Sequence, residues 1–133
     1  MTTYDLMLKV KEILEANGFE TRCTKCLNSK GEMMKDFEYD GSASKDGKLW
    51  REPVKGYSFT NLYGYGINFN VVYRSNGANE NISVDIIIYK WKASCGTRIA
   101  KERININMSD KSINNRVNKI IDIYNSLEIS REA

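Results

Sequence analysis

Two cysteines, in the stretch Cys23-Thr24-Lys25-Cys26, are the residues of this chain best placed to do chemistry. A C-x-x-C turn presents two thiolates to one tetrahedral ion, and structural zinc takes four ligands. The only other cysteine is Cys95, and none of the 133 residues is a histidine. Cys95 is therefore the expected third ligand, with Gly96 behind it freeing the backbone to turn around an ion. The fourth would come from Glu32, Asp36, Asp40 or Asp85, or from a water or a second chain. Asp36 is favoured because it follows the knuckle on the next expected strand. Zinc in this reading is a structural staple. Two other readings stay open, three unrelated reduced thiols and a thioredoxin-like redox pair. The redox pair is the weakest, since no helix N-terminus follows Cys26 to lower a thiol pKa.

The missing histidine removes Ser-His-Asp triads, Cys-His pairs, H-E-x-x-H sites and histidine-cysteine zinc deaminase sites. Tyr63-Gly64-Tyr65-Gly66 has two glycines and precedes a strand, so it reads as a strand-entry bend rather than a phosphate cradle. One catalytic comparison remains. The expected order of one helix, three strands and a helix is similar to the core of PD-(D/E)xK nucleases, with Asp85 on a central strand. That family needs an acid-x-lysine pair on the next strand, where this chain has Lys101-Glu102-Arg103. Asp46-Gly47-Lys48 has the right letters but lies in a loop, so a magnesium site has too few oxygens. The chain is read as non-catalytic.

The elements that position these residues follow from periodicity. Leu6, Val10, Ile13 and Leu14 recur at helical spacing, Thr2 or Thr3 can cap their start, and Asn17-Gly18 supplies a left-handed stop, predicting a helix over residues 4–17. Ser109 caps a second helix over residues 109–127, with Ile113, Val117, Ile120, Ile121 and Tyr124 as its apolar stripe. Between them the period becomes two. Ile67, Phe69, Val71 and Tyr73 form one strand, an Asn76-Gly77 turn follows, and Ile82, Val84, Ile86 and Ile88 form the return strand. Ser83, Asp85, Ile87, Tyr89 and Trp91 occupy its other face. A third strand runs over residues 98–108 with Ile104, Ile106 and Met108 inward. Residues 19–23 and 33–39 are weaker strands around the cysteine turn, and residues 40–56 read as a long surface loop carrying Trp50. The fold class is α+β: an antiparallel sheet, made of a three-stranded meander plus an irregular N-terminal β region, packed with an N-terminal and a C-terminal helix.

Length fits one domain, residues 1–133, and no apolar run approaches the ~20 residues of a membrane span. The charged amphipathic N-terminus and the odd cysteine count point to a cytoplasmic protein. Charge is uneven: between residues 86 and 119 eight cations face only Glu102 and Asp110. Tyr57, Phe59, Tyr63, Tyr65, Tyr73, Tyr89 and Trp91 crowd the same sheet region. Trp50, Arg74, Lys90, Trp91, Lys92, Arg98, Lys101 and Arg103 are the expected partner-binding residues, since tryptophan and arginine anchor interfaces and basic-aromatic strands stack bases.

In size, Asn/Ile/Lys-rich composition and the C-T-K-C knuckle, the chain resembles the small inhibitors carried by phages and mobile elements, in particular the type II-A anti-CRISPR proteins. That resemblance implies a protein that binds a CRISPR Cas9 effector and blocks guide or target-DNA loading by occlusion. A nucleic-acid-binding module using the basic-aromatic sheet face is the main alternative. A sponge for a nucleotide signal is another.

Overall fold

The computed structural model describes residues 3–25, 39–45, 52–53, 60–71, 83–93 and 95–132. Helix α1, Thr3–Ala16, is followed by strands β1, Glu20–Lys25, β2, Tyr39–Ser44, β3, Glu52–Pro53, β4, Thr60–Val71, β5, Ser83–Ala93, and β6, Cys95–Asn105, and then by helix α2, Asp110–Glu132. The strands pair antiparallel in the order β1-β2-β4-β5-β6, and the two-residue β3 joins the edge of β4. The α+β class expected from the sequence is the one observed.

Both helices are set by their ends. Gly18 adopts φ 86°, where glycine carries no Cβ penalty. The Gly18 amide donates to the Glu15 carbonyl and the Phe19 amide to that of Leu14, at 3.1 and 3.0 Å. That pairing satisfies the last carbonyls of α1 and turns the chain straight into β1. At α2 the Ser109 hydroxyl accepts from the Ser112 amide at 3.2 Å, the N-cap its sequence predicts.

One face of the sheet is covered. Leu6, Met7, Val10 and Leu14 of α1 and Ile113, Val117, Ile120, Ile121 and Tyr124 of α2 are buried against Ala43, Ile67, Phe69, Val84, Ile86, Ile88 and Ile104. Each of the larger side chains contributes about 1.5–3 kcal/mol by leaving water. Phe19 stacks edge-on against Tyr124 at 5.0 Å, and the Tyr124 hydroxyl donates to the Tyr65 carbonyl at 3.2 Å, tying the helix to the sheet. Glu102 reaches from β6 to Lys119 at 2.8 Å and Arg116 at 3.5 Å. Arg116 also donates to the Arg103 carbonyl at 3.2 Å.

Several expectations change. Residues 40–44, expected in a loop, form most of β2, because Gly41 and Ala43 are small enough to pass beneath Phe69 and beside Ile67. A Cβ on Gly41 would stand 2.2 Å from the Phe69 ring. The tyrosine-glycine stretch lies inside β4 rather than at its entry, and Gly64 bends the strand there with φ 95°. β6 begins at Cys95 and ends at Asn105, so Ile106 and Met108 leave the strand and pack on the core from the turn before α2. The Asn76-Gly77 turn and residues 33–38 lie outside the described residues.

Candidate nucleic-acid interface

The register sorts the expected site residues onto two faces. In line with Ile86 and Ile88, on the helix side, β5 continues with Lys90 and Lys92. Lys90 lies over the Tyr65 ring at 5.8 Å, and Lys92 is paired with Cys95. On the other face β5 carries Asp85, Ile87, Tyr89 and Trp91. β6 faces them with Arg103 opposite Asp85, Lys101 opposite Ile87, Arg98 opposite Tyr89 and Gly96 opposite Trp91. Both helices contact the first face, so among the described residues no helix covers the second. Trp91, Arg98, Lys101 and Arg103 therefore share a surface, while Lys90 and Lys92 do not belong to it. Trp50 and Arg74 lie outside the described residues.

This second face has a definite construction. The register slips between Ile88 and Tyr89, which pair with Ala100 and Arg98, leaving Ile99 as the extra residue of a bulge, 41% exposed. Without the bulge Arg98 would turn to the helix side, because side chains alternate along a strand. The Trp91 indole lies across β6 at Gly96, where a Cβ would come within 2.8 Å of the ring. Tyr89 lies beside it, ring centroids 5.2 Å apart and tilted by 45°. Gly66 and Gly64 of β4 are the residues paired with Tyr89 and Trp91, so both rings have a neighbour without a side chain. The Trp91 indole N–H is buried with no hydrogen-bond partner.

Asp85 is the counterweight. Arg103 donates to both its oxygens, at 2.7 and 3.1 Å, and Lys101 approaches at 3.2 Å. Burial pushes the Asp85 carboxyl up, but the hydrogen bonds from Arg103 and Lys101, with their charges, outweigh it and hold the pKa below the ordinary aspartate value. A group so lowered stabilises the native state above its unfolded pKa of about 3.9, and that contribution is lost as pH falls through the folded value. Among the described residues Arg98 has no carboxylate partner, and the face keeps more positive than negative charge.

The cysteine set does not assemble as expected. Cys23, Thr24 and Lys25 are extended in β1, paired with Gly41, Asp40 and Tyr39, instead of forming a turn. The register runs from Cys23 through Gly41 and Phe69 to Ile86, four strand spacings from β6. Cys95 lies at the level of Lys92, six residues further along. At ~4.8 Å per strand and ~3.3 Å per residue, both offsets are about 20 Å, far beyond the ~2.3 Å zinc–sulfur bonds of one ion. Cys95 therefore cannot share a metal with Cys23, and Gly96 serves the Trp91 ring rather than an ion. Asp85 is committed to Arg103 and Lys101. Cys26 and Asp36 lie outside the described residues. A zinc at Cys23 and Cys26 would need its other two donors from Asp36, Glu32, Asp40, a water or a second chain.

Cys95 is exposed at the start of its strand. Cys95→Ser is expected to change stability by less than about 0.5 kcal/mol, the ordinary range for surface positions. Denaturant melts of the two proteins check this, and a loss of more than about 2 kcal/mol would show that Cys95 has a structural role.

Tyr89 belongs to the expected aromatic cluster but not to the expected partner-binding residues, Gly96 was expected beside a metal ligand, and the Ile99 bulge was not expected at all. The alternation along β5 signals the first, but the bulge has no marker in the sequence. Comparison with known proteins finds no family, no curated protein and no solved structure that matches this chain.

Proposed function

We propose that this is a non-catalytic nucleic-acid-binding protein that works through the helix-free face of its sheet. One observation carries the reading: Tyr89, Trp91, Arg98, Lys101 and Arg103 fall on a single surface across β5 and β6. Aromatic rings beside cations offer π faces for bases and charges for phosphates.

The same observation bears on the resemblance to anti-CRISPR proteins. The heteroduplex channel of a Cas9-type effector is positively charged. A face bearing Arg98, Lys101 and Arg103 would meet that channel with like charge, which opposes docking. An inhibitor built on this face would block loading by covering the guide or a displaced DNA strand. Nucleic acid is the partner in either case, and the fold needs no turnover to act this way.

Asp85 gives a direct test. Its carboxylate engages two of the three cations, so Asp85→Asn is expected to tighten binding of a labelled oligonucleotide, measured by anisotropy. The log–log salt dependence should steepen by about 0.7–0.9 per added phosphate contact. Weaker or unchanged binding by a folded Asp85→Asn protein would sink the proposal, as would the absence of oligonucleotide binding by the unaltered protein at low salt.

A further inference from the structure

We propose that the nucleic acid is single-stranded, with one base stacked on the Trp91 ring that Gly96 allows to lie on β6, and with the sugar-phosphate backbone following Arg98, Lys101 and Arg103 along that strand. This rests on the nucleic-acid reading above and adds the form of the ligand and the role of each group.

Shape decides against a duplex. The major groove admits a helix or a two-stranded ribbon, and a broad sheet face is neither. A duplex laid on this face would offer phosphates alone, leaving Tyr89 and Trp91 without a function. A single strand has unstacked bases, and aromatic side chains on strands are where such bases stack.

The residues are arranged accordingly. A side chain on Gly96 would lift the indole off the strand. With one face against backbone, the ring is a fixed shelf rather than a mobile side chain, so little ordering entropy is lost when a base joins it. Tyr89 extends the shelf by one residue pair along β5, and Arg98 stands directly opposite Tyr89. Lys101 and Arg103 continue the cations along β6, the strand that the Trp91 indole overlies at Gly96. A base on the indole and the phosphates that follow it therefore line up along one strand. The orphaned indole N–H fits the same account. A phenylalanine would cover Gly96 without burying an unpaired donor, so packing alone does not call for tryptophan.

Two variants test the stacking without removing a cation. Trp91→Ala deletes the shelf, and Gly96→Ala displaces it while keeping the indole. The probes are a labelled twelve-nucleotide deoxythymidine strand and the same strand annealed to its complement, at low salt. The single strand is expected to bind at least tenfold tighter than the duplex. Each variant should weaken single-strand binding by roughly 5- to 150-fold, the range of one lost base stack, and leave duplex binding unchanged. In a Trp50→Phe background the remaining tryptophan fluorescence should be quenched by the single strand. Circular dichroism confirms that both variants fold; if either does not, the quenching result stands alone as the test. Equal affinity for the two probes, or no quenching on saturation, overturns the single-strand inference and leaves phosphate-directed binding intact. Binding to neither probe overturns the nucleic-acid reading itself.

Discussion

Gly41→Ala is expected to destabilise the protein by about 1–3 kcal/mol although it adds one methyl group, because that methyl enters a filled space. The Phe69 ring lies directly on the Gly41 backbone, its nearest atoms 2.2, 2.4 and 2.6 Å from where a Cβ would stand. Those are ring atoms of a fully buried side chain held among Ile67, Ala43 and the helices, so the ring has nowhere to retreat. Phe69→Ala alone should cost about 3–5 kcal/mol through lost burial and the cavity left behind. Either loss is a large share of the 5–15 kcal/mol that holds a typical domain together. The decisive measurement is the double variant. With the ring gone the Gly41 methyl has room, so Gly41→Ala should cost almost nothing in the Phe69→Ala background. Denaturant melts of the four proteins should give a coupling energy of about 1–3 kcal/mol. Additive effects would mean that β2 does not pass under Phe69 as described.

Reversing Arg98, Lys101 and Arg103 to glutamate together should abolish oligonucleotide binding, with affinity falling at least a hundredfold. Lys90→Glu with Lys92→Glu should leave binding within about twofold. The second pair is the informative control, since it also lowers net charge but acts on the helix-side face. Attraction governed by net charge would suffer from both sets of changes, whereas an interface suffers only from the first. If three phosphate contacts are made, the single-strand salt slope is about −2, and raising salt from about 50 to 200 mM should weaken binding about 20-fold. Arg98→Glu alone separates binding from the Asp85 ion pairs, because Arg98 takes no part in them. Equal damage from the two sets would remove the face from the argument.

The parts of the fold that the sequence made legible are those specified locally. Asn17-Gly18 and Ser109 mark helix ends by backbone chemistry, and the alternation of Val84, Ile86 and Ile88 with Asp85, Ile87 and Tyr89 marks a half-covered strand. β2 was not legible because Asp40-Gly41-Ser42-Ala43-Ser44 has the composition of a loop. Its place in the sheet comes from what lies above it, the Phe69 ring, and no window of sequence contains both. The site shows the same division. Alternation separates Trp91 from Lys90 and Lys92, and weighing their charge above their spacing put the three together. Arg98 joins the face only through the bulge at Ile99, which pairing creates. Cys95 was linked to Cys23 on ligand count alone, and strand order places them at opposite sides of the sheet.

Among the described residues β6 ends the sheet along eleven residues, long enough to invite another chain to add itself. Three features described above make it a poor template. The bulge at Ile99 breaks the regular spacing of backbone donors and acceptors, Arg116 occupies the Arg103 carbonyl, and Arg98, Lys101 and Arg103 would confront their own copies across a symmetric junction. The same cations thus work against edge-to-edge growth, and a chain stripped of them should become prone to aggregation as well as losing the oligonucleotide binding proposed above.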